Sequence, residues 1–139
     1  MEQDLSWSIA KTGLPLITIE LTTEDGNKGT LCFLIDTGAN INIVYKFVCK
    51  HYTKTIIELE GCGSMIGFEG QEHKTQYVGI TFQLEGTAYS GVFSVIEEYK
   101  GMKHIENESG IQLHGVLCMP FLTANGLIID LDKLIITDK

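Results

Sequence analysis

The residues with the clearest capacity for chemistry are Asp36, Thr37 and Gly38, followed by the small Ala39. A positioned aspartate can take up or release a proton at a reacting group. Asp36 follows the apolar run TLCFLI at 30–35, whose length suits a strand buried on both faces. A carboxylate at the mouth of such a strand is unfavourable unless it is hydrogen-bonded, paired or used. Gly38 lets the backbone turn sharply and approach its neighbours. The chain then re-enters apolar surroundings through Ile41 and Ile43. The same residues also permit a purely structural reading, with Asp36 capping a β-turn through Thr37 or Gly38.

The other chemistry-bearing residues are less organised. Glu69, Glu72 and His73 fall close together but read as exposed polar residues of a hairpin. Cys49 stands near His51, and His114 near Cys118, so a thiol or zinc protein is conceivable. The four cysteines, 32, 49, 62 and 118, show no paired CxxC spacing. They read instead as free, buried thiols. His104 and His114 have no partner evident in sequence, and Asp130 and Asp132 read as shapers of a terminal hairpin.

Positioning Asp36 requires a β-rich framework. Residues 15–21 are rich in β-branched side chains and predict a strand, followed by a turn at Asp25, Gly26 and Asn27. After the strand leading to Asp36, a short apolar run covers 41–44. Val44, Phe47, Val48 and Tyr52 recur at helical spacing and predict a short helix over 45–52. Strand chemistry returns at 55–59. The glycines at 61, 63, 67 and 70 then predict a hairpin with a flexible tip. Further strands are expected over 76–84 and 90–96, with a turn at Glu85 and Gly86. Residues 97–110 read as a polar surface loop. Gly115, Val116 and Leu117 lead into a second short helix opened by Pro120 and closed by Gly126. A final hairpin covers 127–137, and residues 1–13 read as a mobile or interface-forming arm.

The order of LCFLIDTGANINIV, a glycine-rich hairpin and HGVLCMPFLTANGLIIDL resembles the retropepsin-like aspartic protease family over nearly the whole chain. In that family an Asp-Thr-Gly loop packs against a later segment of two apolar residues and a glycine, followed by a short helix. Gly115, Val116, Leu117 and Cys118 match that segment, departing at Cys118, where the family has glycine. The resemblance implies one mainly β domain over 1–139, a closed-barrel-like acid protease fold with one or two short helices. It implies Asp36 as the catalytic carboxylate, Thr37 holding two loops in register across a dimer axis, and Gly38 contacting substrate backbone. Ala39 stands where related enzymes often carry serine. A flap would span 64–75, with Gly67, Phe68, Glu69 and Gly70 near its tip.

The implied activity is hydrolysis of peptide bonds, without metal or cofactor. Two carboxylates about 3 Å apart share one proton, so the ionised member activates water while the protonated member polarises the carbonyl. The chain holds a single Asp-Thr-Gly; LIID at 127–130 is an echo of FLID at 33–36 without it. The second aspartate therefore comes from a second copy, in a homodimer that takes a peptide or protein substrate. Leu5, Trp7 and Ile9 near one end and the apolar 134–136 near the other are candidates for its glue. Three alternatives remain at this point: a dimer of this fold that binds peptides without cleaving them, a β-rich binding domain, and the thiol or zinc protein.

Composition narrows the field further. At 139 residues and 44% hydrophobic content, the chain fits one domain with a core of its own. The net charge of −8 argues against nucleic acid and anionic membranes as partners. Lys46, Lys50, His51 and Lys54 read as the solvated side of a helix. No stretch approaches the roughly 20 apolar residues of a membrane span. The first residues lack the pattern of a signal peptide, giving an expectation of a cytoplasmic protein.

Overall fold

The computed structural model describes residues 1–66 and 72–138, with side chains described for 1–61 and 74–138. The core element is β3 (Lys28–Asp36), which pairs antiparallel with β2 (Leu16–Thr22) through the turn containing Gly26. Residues 31–35 are buried without interruption, as a strand covered on both faces must be. β4 (Asn42–Tyr45) follows the Asp36 loop and runs into α2 (Lys46–Cys49). Two long strands come next, β5 (Ile56–Ile66) and β6 (Glu72–Leu84), and then β7 (Thr87–Ile96). Between β6 and β7, Glu85 and Gly86 both take positive φ, as a two-residue hairpin turn requires.

Along β6, the buried Val78, Ile80, Phe82 and Leu84 alternate with residues facing outward. That period of two is the signature of a strand with one face on the core. Phe82, Phe33 of β3 and Phe93 of β7 meet in the interior, the Phe33 and Phe93 rings edge to face at 5.9 Å. Burying each such ring contributes about 1.5–3 kcal/mol.

β8 (Gly115–Cys118) lies between β3 and β4, parallel to the first and antiparallel to the second. The sheet order is β2-β3-β8-β4-β7-β6-β5, and β2 also pairs with β6 through Glu20 and Gln83. That pairing closes the first six strands into a barrel and leaves β5 outside the ring, on β6. α4 (Met119–Ala124) follows β8, with Pro120 in its first turn; its Phe121 packs on Phe82 and Tyr89. A separate antiparallel sheet joins β1 (Glu2–Asp4), β10 (Ile135–Thr137) and β9 (Ile128–Asp130).

Two segments depart from expectation. Residues 1–13 are not a loose arm: β1 pairs with β10 of the same chain, and α1 (Ser6–Thr12) packs on the barrel. Leu5 and Ser8 are fully buried, while Ile9 and Thr12 are half-buried, which is helical spacing in place of the alternation of Leu5, Trp7 and Ile9. Asp4 accepts the Ser6 amide at the start, and Gly13 at φ 75° ends the helix. Ser8 Oγ donates to the Leu16 carbonyl and accepts the Leu16 amide, so this buried polar residue is satisfied. The expected polar loop over 97–110 contains a helix, α3 (Lys100–Ser109), closed by Gly110 at φ 73° and anchored by the buried Met102. Among the described residues, no helix is long and apolar enough to cross a membrane.

Candidate functional site

Asp36 is the last residue of β3, opposite Cys118, the last residue of β8. Two parallel strands thus end together, one leading into the Asp36 loop and the other directly into α4. The neighbour relation depends on Gly115. A Cβ there would run into the Ile43 carbonyl and the Phe33 ring, so only glycine lets β8 pass between β3 and β4.

The loop after Asp36 is a tight turn in which the Ala39 amide donates to the Asp36 carbonyl at 3.1 Å. The Gly38 amide donates to Asp36 Oδ1 at 2.9 Å. A Cβ on Gly38 would sit 3.3 Å from that same oxygen, so a side chain would crowd the carboxylate. Asp36 Oδ2 accepts no hydrogen bond among the described residues. Asp36 is half-buried, Thr37 and Gly38 are exposed, and Ala39 packs on the core. The carboxylate is therefore fixed through one oxygen and open through the other. That fixing bond is the turn cap of the structural reading, and it leaves room for the chemical one.

The Ala39 carbonyl accepts the Met119 amide at 3.1 Å, which binds the loop to the start of α4. Cys118 is buried, and its amide donates to Asn42 Oδ1 at 2.9 Å. Asn42 Nδ2 in turn donates to the Val92 carbonyl at 3.1 Å. A single buried amide side chain thus ties β4, β8 and β7 together behind the loop. Sequence reading passed over Asn42. Its one signal is a polar residue inside the apolar run at 41–44.

Two more residues of the surroundings were not legible. Tyr99, at the N-cap of α3, has its phenol pushed up by burial and by the Asp36 charge, which puts the ring within electrostatic reach of the carboxylate. His114 has a partner after all: its Nδ1 accepts the Cys32 amide at 2.9 Å. Burial lowers its pKa, outweighing the Cys32 bond and the Glu106 charge, which raise it; because Nδ1 accepts that amide, the neutral ring carries its proton on Nε2.

Thr37, Gly38 and Ala39 are brought to Asp36 by the turn. Gly67, Phe68, Glu69 and Gly70 lie outside the described residues, between strands β5 and β6, whose last described pair is Ile66 with Glu72. A groove of about 380 Å³ runs beside the loop, bordered by Asn40, Ile41, Val92 and Phe121. A broader basin of about 450 Å³ among Glu24, Asp25, Lys50 and His51 lies by the turn that opens β3, at the other end of that strand from Asp36. Among the described residues, no group of three or more histidine, cysteine or acidic side chains is placed to hold a metal ion.

No family model and no curated protein matches the chain. Among solved structures it is similar to the retroviral protease-like domain of Ddi1 from Leishmania major, at 16% identity over 84% of each chain and a TM-score of 0.49.

Proposed function

We propose that this chain is one half of a homodimeric, retropepsin-like aspartic endopeptidase, with Asp36 as its catalytic carboxylate. The observation that carries this reading is the state of Asp36. It ends a buried strand beside the end of a parallel strand, with one oxygen held by Gly38 and the other unoccupied. A carboxylate so oriented suits proton transfer, and two of them across a two-fold axis share one proton. The ionised member takes a proton from water as the water attacks the scissile carbonyl. The other member donates its proton to the carbonyl oxygen. Thr37, exposed at the loop tip, would meet the second copy. An extended peptide would lie across the two loops.

The experiment is a cleavage screen over a diverse peptide library with Asp36→Asn as control. The amide removes the ionisable oxygen but keeps an acceptor for the Gly38 amide, so the variant should fold and lose cleavage by several orders of magnitude. An Asp36→Asn protein as active as the wild type would remove the assignment.

A second reading is a dimer of this fold that binds peptides without cutting them. It is favoured by Cys118, a buried thiol at the position where the resemblance leads one to expect glycine. Peptide binding without cleavage by the wild-type chain would select it.

A further inference from the structure

β7 is paired along nearly its whole length on one side and along only part of it on the other. β6 pairs with residues 87–95, whereas β4 begins at Asn42, opposite Phe93, and pairs with 93–96. The residues before Asn42 leave the lane beside β7 to form the Asp36 loop, so no described strand lies next to Ser90 and Val92 on that side. The two-residue turn at Glu85 and Gly86 makes Leu84 and Thr87 the first bonded pair. Bonding then alternates: Tyr89, Gly91 and Phe93 turn their backbone groups to β6, and Ser90 and Val92 turn theirs to the open side. The Val92 carbonyl shows this direction, since it accepts Asn42 Nδ2 at 3.1 Å. The Val92 amide and both backbone groups of Ser90 have no partner among the described residues.

We propose that this open edge is a docking site for an extended, uncharged peptide segment, which adds as a strand beside Ser90 and Val92. Another extended chain is the ligand that meets a strand edge with donors and acceptors at matching spacing. The groove of about 380 Å³ beside the Asp36 loop lies along this edge, with Phe121 of α4 on its border. Charge selects the occupant. The chain carries a net charge of −8, yet no described residue that lines this groove is charged. A charged side chain entering it would lose hydration and meet no counter-charge.

The polar lining fits such a guest. Ser94, two residues along from Val92, lines the groove at 2% exposure, and its hydroxyl makes no hydrogen bond among the described residues. A buried hydroxyl without a partner is unfavourable. A hydroxyl or amide side chain on the docked segment supplies that partner. Asn40 and Tyr77 also line the groove, and neither side chain is hydrogen-bonded among the described residues. Asn40 belongs to the loop that carries Asp36, so a segment docked on β7 runs past that loop without being held by the carboxylate. The site therefore stands apart from cleavage and does not depend on it.

The test is amide-resolved hydrogen exchange by NMR on the isotope-labelled full chain, as wild type and as Asp36→Asn, which keeps a peptide whole. The probe is a blocked pentapeptide alternating threonine and valine. Without it, the Ser90 and Val92 amides should exchange freely; with it in excess, their protection should rise on the order of tenfold. A lysine or glutamate at the centre of the peptide should weaken binding by about tenfold. Ser90→Pro removes one open amide at a strand edge that tolerates proline, and should abolish the gain at Val92. Should that variant fail to fold, the peptide N-methylated at every amide should show the same loss on the wild-type chain. No gain in protection at Ser90 and Val92, or a gain that survives Ser90→Pro or N-methylation, would overturn the proposal. So would protection confined to 36–40, or tighter binding of a charged peptide. Protection present before peptide is added would also overturn it, and its growth with protein concentration would identify a second copy as the occupant.

Discussion

Asp36 is held by a bond from its own loop, and Asn42 ties together the strands behind that loop. Removing the Asn42 side chain leaves the buried Cys118 amide without its acceptor and the Val92 carbonyl without its donor. Asn42→Ala should destabilise the fold by about 1–3 kcal/mol. A lower midpoint in denaturant with an unchanged slope would show it; an unchanged midpoint would mean that water replaces both bonds. Ala39 bears on the chemistry itself. Its methyl group offers the neighbouring carboxylate no hydroxyl. In the proposed dyad, a serine there would bond the ionised form and lower the pKa of the pair. Ala39→Ser should therefore move the acidic limb of the pH–rate profile down by roughly half a unit to one unit, the worth of one modest hydrogen bond. A limb that stays in place or moves upward speaks against a hydroxyl reaching the pair.

At the scale of elements, legibility followed packing. The strands with continuous or alternating apolar residues, β3 and β6 above all, could be read because burial writes its period into the sequence. Of the short helices flanking the barrel strands, α2 was visible for the same reason, and α4 from Pro120 in its first turn and Gly126 past its end. α3 was not. Its ten residues include only two apolar side chains of any length, Met102 and Ile105, and it is held by these two, the bond from the Leu113 amide to Glu106 and a glycine cap. α1 was misread because Leu5, Trp7 and Ile9 alternate, while the buried serine that defines the inner face gives no apolar signal. In the site, Asp36 to Ala39 were evident from residue type and order. Asn42, Tyr99 and His114 were not, since each acts through a partner far away in the chain.

At the scale of the whole molecule, the single Asp-Thr-Gly makes the proposed chemistry a property of two copies. The strand pairing bears on how they would meet. β1 and β10 are engaged within one chain, so β9 is the outer strand of that sheet on one side, with Ile128 exposed on it and Leu131 exposed just past its end. Edge-to-edge extension there is a geometry open to a two-fold partner. If the proposed dimer is correct, specific activity should fall on dilution through its dissociation range. An equal mixture of wild type and Asp36→Asn, allowed to exchange, should give about half the activity of the wild type present alone, because half of its chains enter dead heterodimers. A monomer in ultracentrifugation with concentration-independent specific activity would falsify the dimer.

The pairing of Glu20 with Gln83 is a single rung, where every other neighbouring pair in the ring has two or more, β4 with β8 two and β3 with β8 four. The barrel is a split ring more than a hoop. Its gap lies on the far side of β2 from β8, away from the strands that carry Asp36 and Cys118. Held by one rung, this seam is the one that thermal breathing opens first. A ring sprung at that seam would loosen β2 against β6 while the β3–β8 pairing that ends at Asp36 keeps all four of its rungs.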